Sequence, residues 1–229
     1  MLTGAGISAE SGIPTFRGIG GLWNGHRIEE VASPLAFERD PLLVWQFYSE
    51  RRLAARDKEP HAGHRALAEL EARLGERMFL CTQNVDHLHE RAGSRRVAHM
   101  HGRLFQSRCS SARCGTAPFE DDRAYPERST LPRCASCGAP VRPHICWFGE
   151  VPFELDRIEE ALLECDICLV VGTSGVVYPA AAFAEVAAAR GVRTVYVGPE
   201  EPGNAGVFRE HIRGAASERL PGVVASLLG

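Results

Sequence analysis

Ile167-Cys168-Leu169-Val170-Val171, followed at once by Gly172-Thr173-Ser174, is the stretch on which the fold turns. The run is apolar at every position and rich in β-branched residues, so it offers no solvent face. A strand of that kind is buried on both sides, as in a parallel sheet. Met78 to Thr82 and Thr194 to Val197 repeat the pattern, each bounded by turn or charged residues. The intervals carry a helical period instead: Pro179 to Arg190 predicts a helix, Ala66, Leu67, Leu70 and Leu74 mark one face of another, and Leu220 to Leu228 predicts a third. Strands alternating with helices give an α/β fold, a doubly wound parallel sheet.

The 229 residues, 45% of them hydrophobic, suffice for one large domain or a domain with an insertion. The 26 basic and 29 acidic side chains nearly cancel, and no run of five or more like charges occurs, so nucleic acid is not an expected partner. No uninterrupted apolar stretch approaches the roughly 20 residues needed to cross a bilayer, and the N-terminus lacks the basic-then-apolar layout of a signal peptide. No membrane partner is expected, and the cytoplasm is the expected compartment. Neither an internal repeat nor a low-complexity linker divides the chain.

The segment from about Arg103 to Arg142 breaks the rhythm. It is rich in Cys, Pro, Arg and Ser, poor in aliphatic residues, and without a strong period, which predicts a small inserted module. Four of the eight cysteines fall there. Cys109-x4-Cys114 and Cys134-x2-Cys137 are two knuckles whose thiolates can converge on one tetrahedral zinc. Four protein ligands leave no open position for water, so the metal is structural and stabilises a module with too little apolar material to fold alone. The module's aromatics, Phe105, Phe119 and Tyr125, are interrupted by Glu120, Asp121 and Asp122, which argues against a nucleic-acid-binding ribbon.

Gly4-Ala5-Gly6-Ile7-Ser8 has the small residues that let backbone amides approach a pyrophosphate at the start of a helix, but a tight turn uses the same residues. Only Met1, Leu2 and Thr3 precede it, so the strand expected before such a loop is read as missing. Thr82-Gln83-Asn84-Val85-Asp86 places amide and carboxylate groups at the end of a strand, where α/β sheets bind ligands; Asn84 or Asp86 could equally cap a helix through His87 to Ala92. His101-Gly102 is one of nine histidines, and spacing alone does not separate it from His61, His64, His87, His89, His99 or His144.

Taken together, GAGISAESGIPTFRG (Gly4 to Gly18), TQNVD (Thr82 to Asp86), HG (His101-Gly102), the two Cys pairs, RPHICWFGE (Arg142 to Glu150) and GTS (Gly172 to Ser174) resemble the sirtuin family of NAD-dependent protein deacylases over nearly the whole chain. The resemblance implies a Rossmann-like, NAD-binding catalytic domain over residues 1–229. Its large NAD-binding part would take in approximately 1–102 and 145–229, and its small zinc module approximately 103–144. It also implies that Gly4, Ala5, Gly6, Ser8, Phe16, Arg17 and Trp23 serve the phosphate loop and the cover over the nicotinamide ribose. Gln83, Asn84 and Asp86 would line the nicotinamide pocket, Gly172, Thr173 and Ser174 would hold the adenosine half, and Ala216 would lie near the adenine.

By the same resemblance His101 is the general base, an imidazole being largely neutral yet basic near pH 7, with Asn84 and Asp86 catalytic beside it. The partners would be acylated lysine side chains of proteins, the products deacylated lysine, nicotinamide and O-acyl-ADP-ribose, and the expected state a monomer. Cys146 to Glu150, including Trp147, Phe148, Gly149 and Glu150, resembles the family's strand that pairs with the substrate peptide. Tyr48 and Arg51 match the Tyr-x-x-Arg pair of the family's desuccinylase branch, with Ala32 the small residue that leaves room for a longer chain. Residues three apart share a helix face, and a guanidinium fork with a phenol suits a carboxylate, so succinyl, malonyl or glutaryl lysine would fit ahead of acetyl. The competing reading packs Tyr48 at a helix edge and leaves Arg51 with Arg52 on a solvated face.

The chain departs from the family in four places. Sirtuins carry a helix and a complete strand before the first glycine motif, so the natural start is expected upstream. Thr15 replaces a common aspartate. Gly198 stands where an asparagine usually contacts the adenine ribose, which predicts weaker adenosine binding. His87 takes the place of a common glycine and is expected to face solvent. ADP-ribose transfer to protein, or NAD and peptide binding without turnover, are the alternative activities.

Overall fold

A computed structural model of the chain describes residues 1–14 and 26–229, together with the backbone of Leu22 and Trp23. Thr15, Phe16, Arg17 and the Trp23 side chain therefore lie outside the described residues. The chain forms two compact units, one from Met1–Thr15, Lys58–Met100 and Glu154–Gly229, the other from Phe16–Asp57 and His101–Phe153.

The first unit is built on a six-stranded parallel sheet. Across the sheet the strands run Glu210–Arg213, Arg193–Gly198, Ile167–Val171, Leu2–Thr3, Leu80–Thr82 and Val97–His99. The period of two in each strand sends alternate residues to opposite faces. Leu169, Val171, Val195 and Val197 pack with Leu67, Leu70 and Leu220 of the Ala62–Leu74 and Ala216–Leu228 helices on one side. Cys168, Val170 and Tyr196 pack with Ile158, Phe183 and Ala184 of the Leu155–Glu164 and Ala180–Ala189 helices on the other. Each fully buried leucine contributes on the order of 2 kcal/mol, which is why Ile167–Val171, packed on both faces, has no polar position.

Three expectations are adjusted. Of the strand expected before the glycine motif two residues are present: Leu2 and Thr3 pair in parallel with Cys81 and Thr82 on one side and with Val170 and Val171 on the other. Cys81 N donates to Met1 O, Gln83 N to Thr3 O and Gly4 N to Val171 O, so these two residues and their flanking peptides lie between the two central neighbours over part of their length. The strand expected from Met78 begins at Leu80, after a 3-10 turn at Gly75–Arg77. The last helix starts a turn earlier than expected, at Ala216, and accommodates Pro221.

In the second unit, serine and aspartate before proline start two helices. Ser33 Oγ accepts from Ala36 N at 3.1 Å ahead of Pro34–Arg39, and Asp40 Oδ1 accepts from Leu42 N at 3.2 Å and Leu43 N at 3.3 Å ahead of Pro41–Arg56. A side-chain acceptor at the N-cap with proline at the first helical position is the preferred start. The segment 103–142, without period in the sequence, supplies most of a three-stranded antiparallel sheet ordered Phe119–Glu120, Gly102–Cys109, Val141–Ile145.

A polar clamp ties this sheet to the Pro41–Arg56 helix. Arg52, read as a solvated neighbour of Arg51, is fully buried. Its Nε donates to Leu104 O at 2.8 Å, Nη1 to Arg123 O at 2.9 Å, and Nη2 to Gln106 O and Ser107 Oγ, while Asp121 lies 3.5 Å away. Asp121 in turn accepts from Ser107, Arg123 and Tyr125. Burying a guanidinium and a carboxylate is tolerable only when nearly every donor and acceptor is engaged, as here.

Candidate active site and metal centre

The strand order reverses at the middle of the first unit's sheet. From Leu2–Thr3 the chain moves outward to Val97–His99, whereas from Ile167–Val171 it moves the other way to Glu210–Arg213. Such a switch point leaves a crevice at the carboxyl ends of the two central strands. Flanking it are the Gly4 turn, which opens the short helix Ala5–Ala9, and the loop Gly172 to Ser174. A Cβ on Gly4 would lie 2.9 Å from Gly172 O, one on Gly6 2.7 Å from Gly172 Cα, and one on Gly172 2.6 Å from Ile7 N. All three positions therefore require glycine so that the two loops can touch. Gly6 N is already engaged with Gly172 O at 2.8 Å.

Ala216, expected near the adenine, is buried in the core cluster that also holds Ile7. At Gly198 a Cβ would meet Tyr196 Oη at 2.6 Å, and that hydroxyl donates to Thr173 O at 2.9 Å. Tyr196 thus fills the space a side chain at 198 would need.

Behind the Gly4 loop the TQNVD segment forms a closed polar network. Asn84 Nδ2 donates to Gly4 O at 3.0 Å and Ser8 Oγ at 2.9 Å, and Ser8 Oγ donates to Asp86 Oδ2 at 2.9 Å. Asp86 Oδ1 also accepts from Leu88 N at 3.1 Å, whereas the N-cap of the helix Leu88–Ala92 is His87, one residue later than the capping reading expects. Gln83 and His87 are half-buried. His99 faces two acceptors, Asn84 O at 3.1 Å and Glu90 Oε1 at 2.7 Å.

Two buried histidines, His64 and His89, which spacing alone does not separate from His101, lie close to this network. His89 Nε2 meets Thr3 Oγ1 at 2.9 Å, and its ring lies 5.1 Å from that of His64. Burial pushes His64 down to about 2 and His89 down to about 4, against about 6.5 in an unfolded chain. Because the folded values are depressed, the unfolded state takes up these protons first. Stability is complete above about pH 6.5 and is lost as pH falls from there through the folded values, by at most about 1.4 kcal/mol per pH unit for each imidazole. The urea midpoint should therefore decline between pH 7 and 5, before carboxylates titrate, and His89→Gln should flatten that slope. An unchanged slope in the variant would place the acid sensitivity elsewhere.

In the second unit His101 is held by its backbone: Cys146 N donates to His101 O at 2.9 Å. Gly102 follows with φ of 87°, and a Cβ there would lie 2.1 Å from His144 O. The glycine of the HG pair is therefore forced by the strand that crosses it. The Cys146 to Glu150 segment, expected as a strand, is a turn after Val141–Ile145, because Gly149 takes φ of 87° and Glu150 N returns to Trp147 O. Glu150 braces that turn, accepting from Arg142 at 2.6 and 2.9 Å and from Trp147 N at 2.8 Å, while Phe148 stays 44% exposed.

Tyr48 is fully buried rather than at a helix edge, and the Arg51 guanidinium carbon lies 5.7 Å from its ring and 5.8 Å from that of Phe47. Ala32 is buried and its carbonyl accepts from Phe148 N at 3.1 Å.

The four cysteine sulfurs all lie within 4.8 Å of one another, with Cys109–Cys137 at 3.5 Å and Cys114–Cys134 at 3.6 Å. Four thiolates each about 2.3 Å from one zinc sit about 3.8 Å apart at the corners of a tetrahedron, so the cluster fits that ion. Ser111 N donates to Cys109 Sγ at 3.4 Å, orienting one ligand. Cys81, Cys146, Cys165 and Cys168 lie outside the cluster.

A switch-point crevice between glycine-rich loops, in a chain that also carries a four-thiolate module, defines a nucleotide-binding α/β protein with a structural metal. The model of the Sir2 family matches residues 4–179, and the chain belongs to that family. It is 44% identical over 98% of its length, and 80% of the relative's, to the mitochondrial NAD-dependent protein deacylase sirtuin-5 of Canis lupus familiaris. With an NAD-dependent protein deacylase of Escherichia coli strain K12 the identity is 48%, covering 100% of this chain and 81% of the relative. A solved complex of a mutant Sir2 homologue with 2'-O-acetyl ADP ribose superposes with a TM-score of 0.87 at 43% identity, covering 100% of this chain and 92% of that one.

Proposed function

We propose that this chain is an NAD-dependent protein lysine deacylase that acts on acidic acyl groups, succinyl, malonyl or glutaryl, in preference to acetyl. Family membership and the deacylase relatives support the reaction, in which the acyl group passes from lysine to ADP-ribose and nicotinamide is released. NAD supplies a ribose carbon made electrophilic by its nicotinamide leaving group, and the remaining work belongs to the protein. Gly4, Ala5, Gly6 and Ser8, with Gly172, Thr173 and Ser174, flank the switch-point crevice in the first unit and hold the dinucleotide there. Gln83, Asn84 and Asp86 orient its nicotinamide end, Asn84 and Asp86 being locked by their bonds to Gly4 and Ser8. His101 accepts a proton from a ribose hydroxyl. The thiolate module keeps its metal in a reducing compartment, the cytoplasm, and no helix among the described residues is long and apolar enough to cross a membrane.

The observation that carries the acyl preference is the pairing of Tyr48 and Arg51 on one face of a helix, with the phenol buried and the guanidinium against two aromatic rings. A buried phenol with a neighbouring cation offers a carboxylate a charge-assisted hydrogen bond and a counter-charge, which acetyl cannot use. Arg51→Met should lower kcat/KM for a succinyl-lysine peptide by roughly 10- to 100-fold and reverse the order of succinyl over acetyl, since hydrogen bonds to charged groups contribute about 1.5 to 3 kcal/mol. An acetyl preference in the wild type, unchanged by the substitution, would make the protein an ordinary deacetylase. Modification of the acceptor without loss of acyl-lysine would point to ADP-ribose transfer instead.

A further inference from the structure

The Tyr48 phenol makes one hydrogen bond to a described residue, and its direction matters. Trp147 Nε1 lies 3.0 Å from Tyr48 Oη. An indole N–H can only donate, so the phenol oxygen is the acceptor and its own proton points away from Trp147. Burial, opposed by the Arg51 charge, raises the phenol above its usual range, so it keeps that proton near neutral pH. The two residues are 99 positions apart and belong to different elements of the second unit.

Trp147 is in turn held on several sides. The Arg142 guanidinium carbon stacks 3.3 Å from the centroid of its ring, and Arg142 Nη1 and Nη2 grip the two oxygens of Glu150. Glu150 also accepts from Trp147 N, and Phe37 packs 5.5 Å away, ring to ring. A cation on one face, a fixed backbone and an aromatic neighbour leave the indole little rotational freedom. Phenylalanine at 147 would preserve the stack and lose only the donor.

Resting on the Tyr48 and Arg51 reading above, we infer that Trp147 is a positioning residue for acyl specificity: its indole N–H occupies the acceptor side of Tyr48 and so commits the phenol to donate to the carboxylate of an acidic acyl group. Without the indole N–H the hydroxyl is free to turn, and part of its advantage toward a carboxylate over a methyl group disappears.

The test compares kcat and KM for succinyl-lysine and acetyl-lysine versions of one peptide in the wild type, Trp147→Phe, Tyr48→Phe and the double variant. Trp147→Phe should lower the succinyl-to-acetyl ratio of kcat/KM roughly three- to tenfold, chiefly through KM for the succinyl peptide, as expected for one hydrogen bond. Tyr48→Phe should lower the ratio at least as much, and the double variant should match Tyr48→Phe, because nothing remains for the indole to orient. Equal losses on both peptides, an unchanged ratio in Trp147→Phe, or additive losses in the double variant would each overturn this role while leaving the acidic-acyl reading intact. A wild type that does not favour succinyl overturns that reading and this one with it. Should Trp147→Phe fold poorly, Tyr48→Phe reports on the same bond from its other partner, and an unchanged ratio there also overturns the inference.

Discussion

His101→Ala should reduce kcat for O-acyl-ADP-ribose formation by about 100- to 10,000-fold, the usual contribution of a positioned general base. KM for the acylated peptide should move little, because the imidazole is asked to take a proton and not to hold the acyl group. The pH profile separates this role from a structural one: wild-type turnover should fall on the acid side as an imidazole protonates, whereas the residual activity of the variant should lack that limb. The backbone at this position is secured independently of the side chain, by Cys146 N on His101 O and by the close approach of Gly102 to His144 O, so the substitution should leave the melting temperature near that of wild type. A variant with the same acid limb as wild type would move the base elsewhere, and a variant that melts much lower would make the loss uninformative about proton transfer.

Removal of the metal should have the larger effect on stability. The second unit's antiparallel sheet carries the four cysteines in and around its strands, and its tie to the Pro41–Arg56 helix combines the polar clamp of Arg52 and Asp121 with buried Trp45, which packs 4.5 Å from Tyr125, ring to ring, and donates to Val141 O. Metal binding to a four-thiolate site of this kind supplies on the order of 10 kcal/mol of folding free energy. A strong chelator, or Cys137→Ser, should therefore abolish the cooperative unfolding of this unit and with it deacylation, while elemental analysis of the intact protein should find about one zinc per chain. Retention of the melting transition after complete removal of the metal would show that the unit's buried apolar residues and its polar clamp suffice without it. The two losses differ in kind: His101→Ala removes chemistry from a folded protein, whereas metal removal takes away the structure that presents the acyl-binding residues.

The parts of this protein legible in its sequence are those governed by short-range periodicity and by chemistry that announces itself through spacing. Ile167 to Val171 reads as a buried strand because every position is apolar, and the helix around Ala66 to Leu74 reads from its repeat. The two Cys pairs read as one metal site because few other arrangements give that spacing. Leu2–Thr3 is too short to show a period, although backbone bonds to both neighbours place it between the two central strands. Cys146 to Glu150, a strand by family resemblance alone, is turned back here by a single left-handed glycine, Gly149. Arg52 looked like a surface charge because nothing near it in the chain hints at Leu104, Gln106 and Asp121.

The sequence alone thus determined the α/β class, the thiolate cluster and, through motif resemblance, the residues to examine. Tertiary structure decided which of them touch: the glycine loops pressed together at Gly172, the polar lock on Asn84 and Asp86, and the indole that turns Tyr48. The physical reason is distance along the chain. Periodicity records contacts between residues two to four apart, whereas Tyr48 and Trp147 are 99 apart and meet only once the second unit has folded around them.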